Sequence, residues 1–157
     1  MTAAIEKDLL DTRAGRDLGG GDLVSIDPLS HEDLSLIFAL ARKFRHYKTE
    51  KLALNKGRSS INAFFESSTR TMSSFDLSAK HLGMDTTNVS GNASSVKKGE
   101  TYLDTAKTLD SYNPATIIVR AAESGVPEML ARHVRAAIIN AGDGWHEHPT
   151  QALLDAL

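Results

Sequence analysis

The chain of 157 residues contains no cysteine. A disulfide framework, a thiol nucleophile and a Cys-ligated zinc site are therefore excluded. An excess of either charge is missing too: 18 Lys and Arg stand against 20 Asp and Glu, for a formal net charge of −2. Such a balance gives no electrostatic reason to expect nucleic acid or a membrane surface as a partner. No apolar run reaches the ~18 residues of a membrane span, and the N-terminus lacks a basic stretch leading into an apolar one. The expected setting is soluble and cytoplasmic. Neither G-x-x-x-x-G-K-[ST] nor a strand-following G-x-G-x-x-G occurs, so a nucleotide held by a standard phosphate loop is not expected. What remains is an average soluble composition, 41% hydrophobic and 24% charged, at the length of one ordinary domain.

Residues 1–22 read as a flexible N-terminal tail, broken by Gly19-Gly20-Gly21. Residues 23–157 read as the domain. Leu23–Ile26 suggests a short extended stretch. Ser30 followed by Asp33 suggests a capped start for an amphipathic helix over roughly 31–48, in which Leu34, Ile37, Phe38, Ala41 and Phe44 recur at helical spacing. Beyond it, apolar extended runs at Ser60–Glu66, Thr86–Ser90, Thr116–Ala121 and Ala136–Ala141 alternate with helical patterns near 69–82, 100–112 and 126–134. A further helix begins near 149. That alternation predicts βαβ units in a three-layer, doubly wound α/β domain with a parallel sheet of about four strands. Ile117-Ile118-Val119 and Ile138-Ile139 suit strands covered on both faces.

In open α/β sheets, ligands bind beyond the carboxyl ends of the strands. After the first run comes Glu66-Ser67-Ser68-Thr69-Arg70-Thr71, leading straight into a helix. Hydroxyls and free N–H groups at a helix N-terminus, with a guanidinium beside them, suit a phosphate. An ordinary Ser/Thr cap beside a surface arginine would give the same pattern. Arg120 closes the third run, where it is either functional or a plain strand-end cation. Ser94, Lys97 and Lys98 lie in a glycine-flanked loop that would also serve as a solvated basic loop. After the fourth run, His146 and His148 form an H-x-H pair, weak as a metal signal without a third ligand. His148 fits better as a hydrogen-bond donor or acid at a helix start. Gln151, one turn later, has the paired donor and acceptor that hold an amide or carbamoyl group.

Taken together, these residues resemble the aspartate carbamoyltransferase family, in its N-terminal carbamoyl-phosphate-binding domain. Phe64–Thr71 (FFESSTRT) is similar to the signature F-x-E-x-S-T-R-T. Ser94–Thr101 (SSVKKGET) resembles the lysine loop of the aspartate branch. Asn140–Gly144 (NAGDG) with His148–Gln151 (HPTQ) is similar to the block that closes the site. The resemblance implies that Ser68, Thr69, Arg70 and Thr71 hold the phosphate of carbamoyl phosphate. It implies that Thr71, Arg120 and His148 address the carbonyl oxygen, and that Gln151 holds the carbamoyl nitrogen. Arg70, Thr71, Arg120 and His148 would be the catalytic set, with Ser94 and Lys98 donated by a neighbouring subunit of a homotrimer. The implied activity is carbamoyl transfer to the α-amino group of L-aspartate, in pyrimidine biosynthesis. It needs no metal and no organic cofactor. A regulatory chain or a dihydroorotase is the implied further partner.

The chain departs from the family pattern at Met72, commonly arginine, and at Ala121, where histidine is frequent. The apolar helix Ala152–Leu157 ends without a terminator. In the family such a helix leads into a second, aspartate-binding domain. The chain is accordingly expected to be the carbamoyl-phosphate-binding half, inactive alone. An ornithine-type or other carbamoyltransferase, and a non-catalytic phosphate-binding or assembly module, are the alternatives.

Overall fold

The computed structural model describes residues 7–9, 21–47, 51–90 and 101–157. Helix α1 spans His31–His46, and Ser30 begins it as expected. The Ser30 hydroxyl accepts from Asp33 N at 3.1 Å, while Asp33 accepts from Ser30 N at 2.9 Å. Lys43, Arg45 and His46 sit in its last turn, opposite the negative end of the helix dipole. The strands are β1 (Ser59–Phe64), β2 (Asp85–Ser90), β3 (Thr116–Ala121) and β4 (Ala137–Asp143). Between and after them lie α2 (Thr69–His81), α3 (Tyr102–Asp110), α4 (Val126–Ala131) and α5 (Pro149–Ala156). All four strands are parallel, in the order β2-β1-β3-β4. The expected alternation and strand number are thus what the described residues adopt.

Of the boundaries that differ by a residue or more, two have plain local reasons. Strand β1 stops at Phe64, because Phe65 N and Glu66 N both turn onto the Arg120 carbonyl at 2.9 and 3.3 Å. Helix α4 stops at Ala131, where the turn tightens and His133 N donates to Leu130 O, three residues back, at 2.9 Å.

This strand order winds outward from the centre in both directions. Right-handed crossovers then put α2 on one face and α4 on the other. Ile61, Ala63, Ile117, Val119, Ala121 and Ile138 pack with Val126 and Leu130 on the α4 face. Phe64, Ile118 and Ala141 pack with Met72 and Phe75 on the α2 face. Residues 117–119 are at most 3% exposed, so β3 is covered on both sides as its apolar run predicts. Met72 is half-buried here, packed onto Phe64 and Ile118 beneath α2, and Ala121 faces away from Arg120 into the opposite layer.

Part of the segment expected to be a tail contacts the domain. Leu9 is buried with Leu52, against Leu40 and Phe44 of α1, and Lys43 pairs with Asp8 at 2.7 Å. Asp22 accepts from Ile138 N at 2.7 Å. Leu23 forms a parallel bridge along the free edge of β4.

Candidate functional site

In the order β2-β1-β3-β4 the winding reverses between β1 and β3, so the crevice lies past Phe64 and Arg120. The loops after β1, β3 and β4 meet there. Their meeting is the reason residues far apart in sequence share one surface.

Helix α2 presents its N-terminus to this crevice without a cap of its own. The Ser68 hydroxyl donates to Thr71 Oγ1 at 2.9 Å instead of accepting from the helix backbone. No acidic residue stands in the first turn of α2, and the same is true of α5, which His148 begins without a side-chain cap. By contrast α1 and α3 carry full capping boxes, through Asp33 and Asp104. The plain-cap alternative for Ser68 is therefore not what the structure shows. Two helices aim free N–H groups and positive dipole ends into the same region, which favours an anion. Helix α2 is locked to the sheet by Asp76, which accepts from Thr86 on β2 at 2.6 Å and from Lys80 at 2.7 Å. Hydrogen bonds from Lys80 and Thr86 hold the Asp76 carboxyl below its ordinary pKa.

Ser68, Arg70, Thr71, His148 and Gln151 line one cleft of about 630 Å³ between α2 and α5. Arg120 lines an adjoining recess of about 310 Å³ with Glu66, Trp145 and His148, so His148 borders both. Thr69, the first residue of α2, is exposed and not part of the lining. Gln151 donates its side-chain N–H to Asp155 at 2.8 Å along α5. Ser94 and Lys98 lie outside the described residues.

Arg120 is held on two sides. Its Nη1 donates to the Ala141 carbonyl at 2.8 Å, and its Nε lies 3.4 Å from Glu66 Oε2. The guanidinium rests on Gly142, where a bulge shifts the register of β4 against β3. A Cβ at Gly142 would stand 2.5 Å from Arg120 Nη1. With φ at +113°, the position suits glycine on conformational grounds as well.

His148 is half-buried, and its Nδ1 lies 3.3 Å from Thr150 Oγ1. Burial, with the neighbouring Arg120 charge adding to it, holds its pKa below the ordinary histidine value. The imidazole is thus neutral at neutral pH. His146 faces elsewhere, with Nδ1 at 3.1 Å from Asp143 Oδ2, so the two rings of the H-x-H pair have separate partners.

Sequence reasoning assigned no roles to Glu66, Asn140, Asp143 and Glu147, yet these acids and this amide build the site's frame. Asn140 and Asp143 are 0% and 1% exposed. Burial works against the Asp143 anion, but hydrogen bonds from Asn140, Gly125, Glu147 and His146 overcome it and leave the pKa low. An acid followed at +3 and +4 by histidine and glutamate after a strand was the available signal, for a self-bonded turn.

Residues 21–157 match the family described as aspartate/ornithine carbamoyltransferase, carbamoyl-P binding domain. The aspartate carbamoyltransferase catalytic subunit of a Bradyrhizobium strain is 48% identical over 143 residues, 89% of this chain and 45% of that protein. The corresponding subunit of Beijerinckia indica is 52% identical over 139 residues, 86% of this chain and 44% of that protein. Aspartate transcarbamoylase from Trypanosoma cruzi, solved in complex with carbamoyl phosphate, superposes with a TM-score of 0.81 at 38% identity. The match covers 88% of this chain and 43% of that one. The same enzyme with carbamoyl aspartate and phosphate gives a TM-score of 0.82, over 88% and 46% of the two chains. The chain thus spans a little under half the length of these relatives. With its strand-end motifs and nearly its whole described fold inside that match, the chain belongs to the aspartate/ornithine carbamoyltransferase family, as its carbamoyl-phosphate-binding domain.

Proposed function

We propose that this chain binds carbamoyl phosphate as one half of an aspartate carbamoyltransferase, which moves the carbamoyl group to the α-amino nitrogen of L-aspartate. The observation that carries the reading is the uncapped N-terminus of α2 opening on a cleft shared by Arg70, Thr71 and His148, with Arg120 beside it. In this reading Ser68, Thr69, Arg70 and Thr71 take the phosphate, through hydroxyls, backbone N–H groups and one bidentate guanidinium. Thr71, Arg120 and His148 converge on the carbonyl oxygen, and Gln151 turns from Asp155 to hold the carbamoyl nitrogen.

Carbamoyl phosphate is a mixed anhydride and needs no covalent nucleophile from the protein. The aspartate nitrogen attacks the carbonyl carbon, a C–N bond forms, and charge gathers on the carbonyl oxygen. Donors fixed in place stabilise that oxyanion by about 3–4 kcal/mol each at good geometry. In this reading Thr150, 3.3 Å from Nδ1, donates to it, so that neutral His148 carries its proton on Nε2 and offers it as a hydrogen bond. The C–O bond to phosphate then breaks. The departing phosphate leaves with its charge matched by Arg70 and the α2 dipole, and it can accept the proton lost by the amine. Holding two anionic substrates together supplies much of the remaining acceleration.

The finer features belong to the same proposal. They comprise a homotrimer in which Ser94 and Lys98 enter a neighbour's site, a regulatory or dihydroorotase partner, and a cytoplasmic role in pyrimidine synthesis. Among the described residues no helix is long and apolar enough to cross a membrane.

Calorimetric titration of carbamoyl phosphate into the chain and into Arg70→Ala tests the binding step. Removing a charge-assisted bidentate contact should weaken affinity by about 10–100-fold. Equal affinity would remove Arg70 from the site. The acceptor is decided by supplying aspartate or ornithine to the intact parent protein with carbamoyl phosphate. Carbamoylation of ornithine alone would overturn the aspartate assignment.

A further inference from the structure

The loop joining β4 to α5 carries His148, and its geometry is set by two carboxylates that do not face the α2–α5 cleft. Asp143 Oδ1 accepts from Asn140 Nδ2 at 2.9 Å and from Glu147 N at 3.1 Å. Its Oδ2 accepts from Gly125 N at 2.7 Å, which ties in the loop that follows β3. Glu147 reaches the other way. Its Oε1 accepts from the Ser25 hydroxyl at 2.6 Å, and its Oε2 accepts from Ile26 N at 2.9 Å. Its own carbonyl accepts from Asp143 N at 3.2 Å. The N–H, the carbonyl and both carboxylate oxygens of Glu147 are therefore all engaged, one peptide bond before His148.

The far end of this strap is itself anchored. Leu23 N donates to Ile138 O at 2.8 Å, Asn140 N to Leu23 O at 2.9 Å, and Asn140 Nδ2 to Val24 O at 3.0 Å. Segment 23–26 consequently moves with β4 and gives Glu147 a fixed support. A helix N-cap residue has no intrahelical bond to set its orientation at its own N–H. Thr150 meets the ring Nδ1 at 3.3 Å, and the His148 carbonyl accepts from Gln151 N and Ala152 N at 3.0 Å. What remains to be fixed is the backbone that leads into His148, and the residue before it does that.

We propose that Glu147 is a positioning residue for His148, strapped to Ser25 and Ile26 so that the imidazole stays beside Arg120 at the border of the two recesses. The proposal rests on the reading in which His148 meets the carbamoyl group while the phosphate lies on α2. On that division, loosening the strap weakens recognition of the carbamoyl group and leaves phosphate recognition alone.

The test uses the 157-residue chain and three variants, Ser25→Ala, Glu147→Ala and Glu147→Gln. Carbamoyl phosphate and inorganic phosphate are titrated separately, following the fluorescence of Trp145, the single tryptophan, which is exposed beside Arg120 and His148. The ring titration of His148 is read independently by NMR. The titratable groups that share a recess with His148 are Arg120 from β3, Glu66 from the loop after β1, Arg70 from α2, and His146 and Glu147 from its own loop. The last two are turned onto Asp143 and onto Ser25 and Ile26. Ser25→Ala changes none of these charges, so a rise in the His148 midpoint toward the ordinary value reports displacement of the ring alone. We expect that rise, with carbamoyl phosphate bound about fivefold more weakly and inorganic phosphate bound as before. Glu147→Ala should behave at least as severely, and Glu147→Gln, which keeps one acceptor oxygen, should fall between.

Should Glu147→Ala fail to fold, Ser25→Ala deletes only a hydroxyl and tests the same strap. The proposal is overturned if the His148 midpoint and the ratio of the two affinities stay at their original values, or if both affinities fall by one common factor. If the unaltered chain shows no preference for carbamoyl phosphate over phosphate, the functional reading fails. The His148 midpoint in Ser25→Ala then still decides the strap.

Discussion

Replacing Gly142 by alanine puts one methyl group where the structure has least room for it and the site has most at stake. The new Cβ would lie 2.5 Å from Arg120 Nη1, 3.3 Å from its Cζ and 3.5 Å from His148 Cδ2. Carbon contacts settle near 3.5–4.0 Å, so the guanidinium must retreat by about 1 Å. Because it ends a flexible side chain, that retreat is cheap for the fold. The stability loss is then mainly backbone strain from φ at +113°, about 1–3 kcal/mol. Function responds differently. Moving Arg120 breaks its bond to the Ala141 carbonyl and, in the proposed reading, takes a charged donor from the carbamoyl oxygen. A charge-assisted bond is worth about 1.5–3 kcal/mol, so affinity should fall by about 10–100-fold. Gly144→Ala is the matched control. There the Cβ would meet the Ala122 carbonyl oxygen at 2.5 Å, a backbone atom that cannot swing aside. It should therefore cost more stability, by at least about 1 kcal/mol, while disturbing Arg120 less. Urea unfolding and carbamoyl phosphate calorimetry on both variants separate the two effects. Binding by Gly142→Ala within about twofold of the original chain would refute this account, as would finding it the less stable of the pair.

Asp143→Asn sets an NH2 group either against Gly125 N and the His146 ring or against Asn140 Nδ2 and Glu147 N, and should cost about 2–4 kcal/mol at pH 7 by chemical denaturation. The Asp143 pKa is depressed in the fold, so its contribution is fully present above the unfolded value near ~3.9 and disappears as pH falls through the folded one. The gap between original and variant should accordingly stay flat from pH 7 to about 5 and close below about 4; a gap that grew on acidification would contradict the assignment. Phe64→Ala removes a ring that is 1% exposed beneath α2, against Met72, Phe75 and Ile118. A loss of about 3–5 kcal/mol is expected, and a loss under about 1 kcal/mol would mean the α2 layer is not packed as described. Thr101→Ala deletes half of the α3 capping box and should cost about 1 kcal/mol in the same assay, with no change in ligand affinity.

Much of the fold was legible because its signals are local. The apolar runs of β3 and β4, the Ser30 and Asp33 pairing, and the alternation of period are each complete within a few residues. The less apolar β2 was legible only as a short stretch. It lies at the sheet edge, where none of its residues is buried and its composition is under less constraint. What sequence could not show was the frame around the site. Glu147 meets Ser25 across 122 positions, and Arg120 meets Ala141 across 21. Neither pairing leaves a periodic trace. Met72 reads in sequence as a missing cation, whereas its place on the inward face of α2 makes it a packing residue.

By itself the sequence determined the layer architecture, the likeness to carbamoyltransferases and the set of anion-suited residues at the strand ends, since propensity, capping and motif spacing act over short stretches of chain. Only the tertiary structure decided that Ser68 leaves α2 uncapped and that His148 borders both recesses. It also decided that Arg120 rests on a bulge at Gly142, and that Asp143 and Glu147 tie the loop before His148 to Gly125 and to Ser25. Those outcomes depend on the strand order, which brings the ends of β1, β3 and β4 together and so makes neighbours of residues that the chain keeps apart.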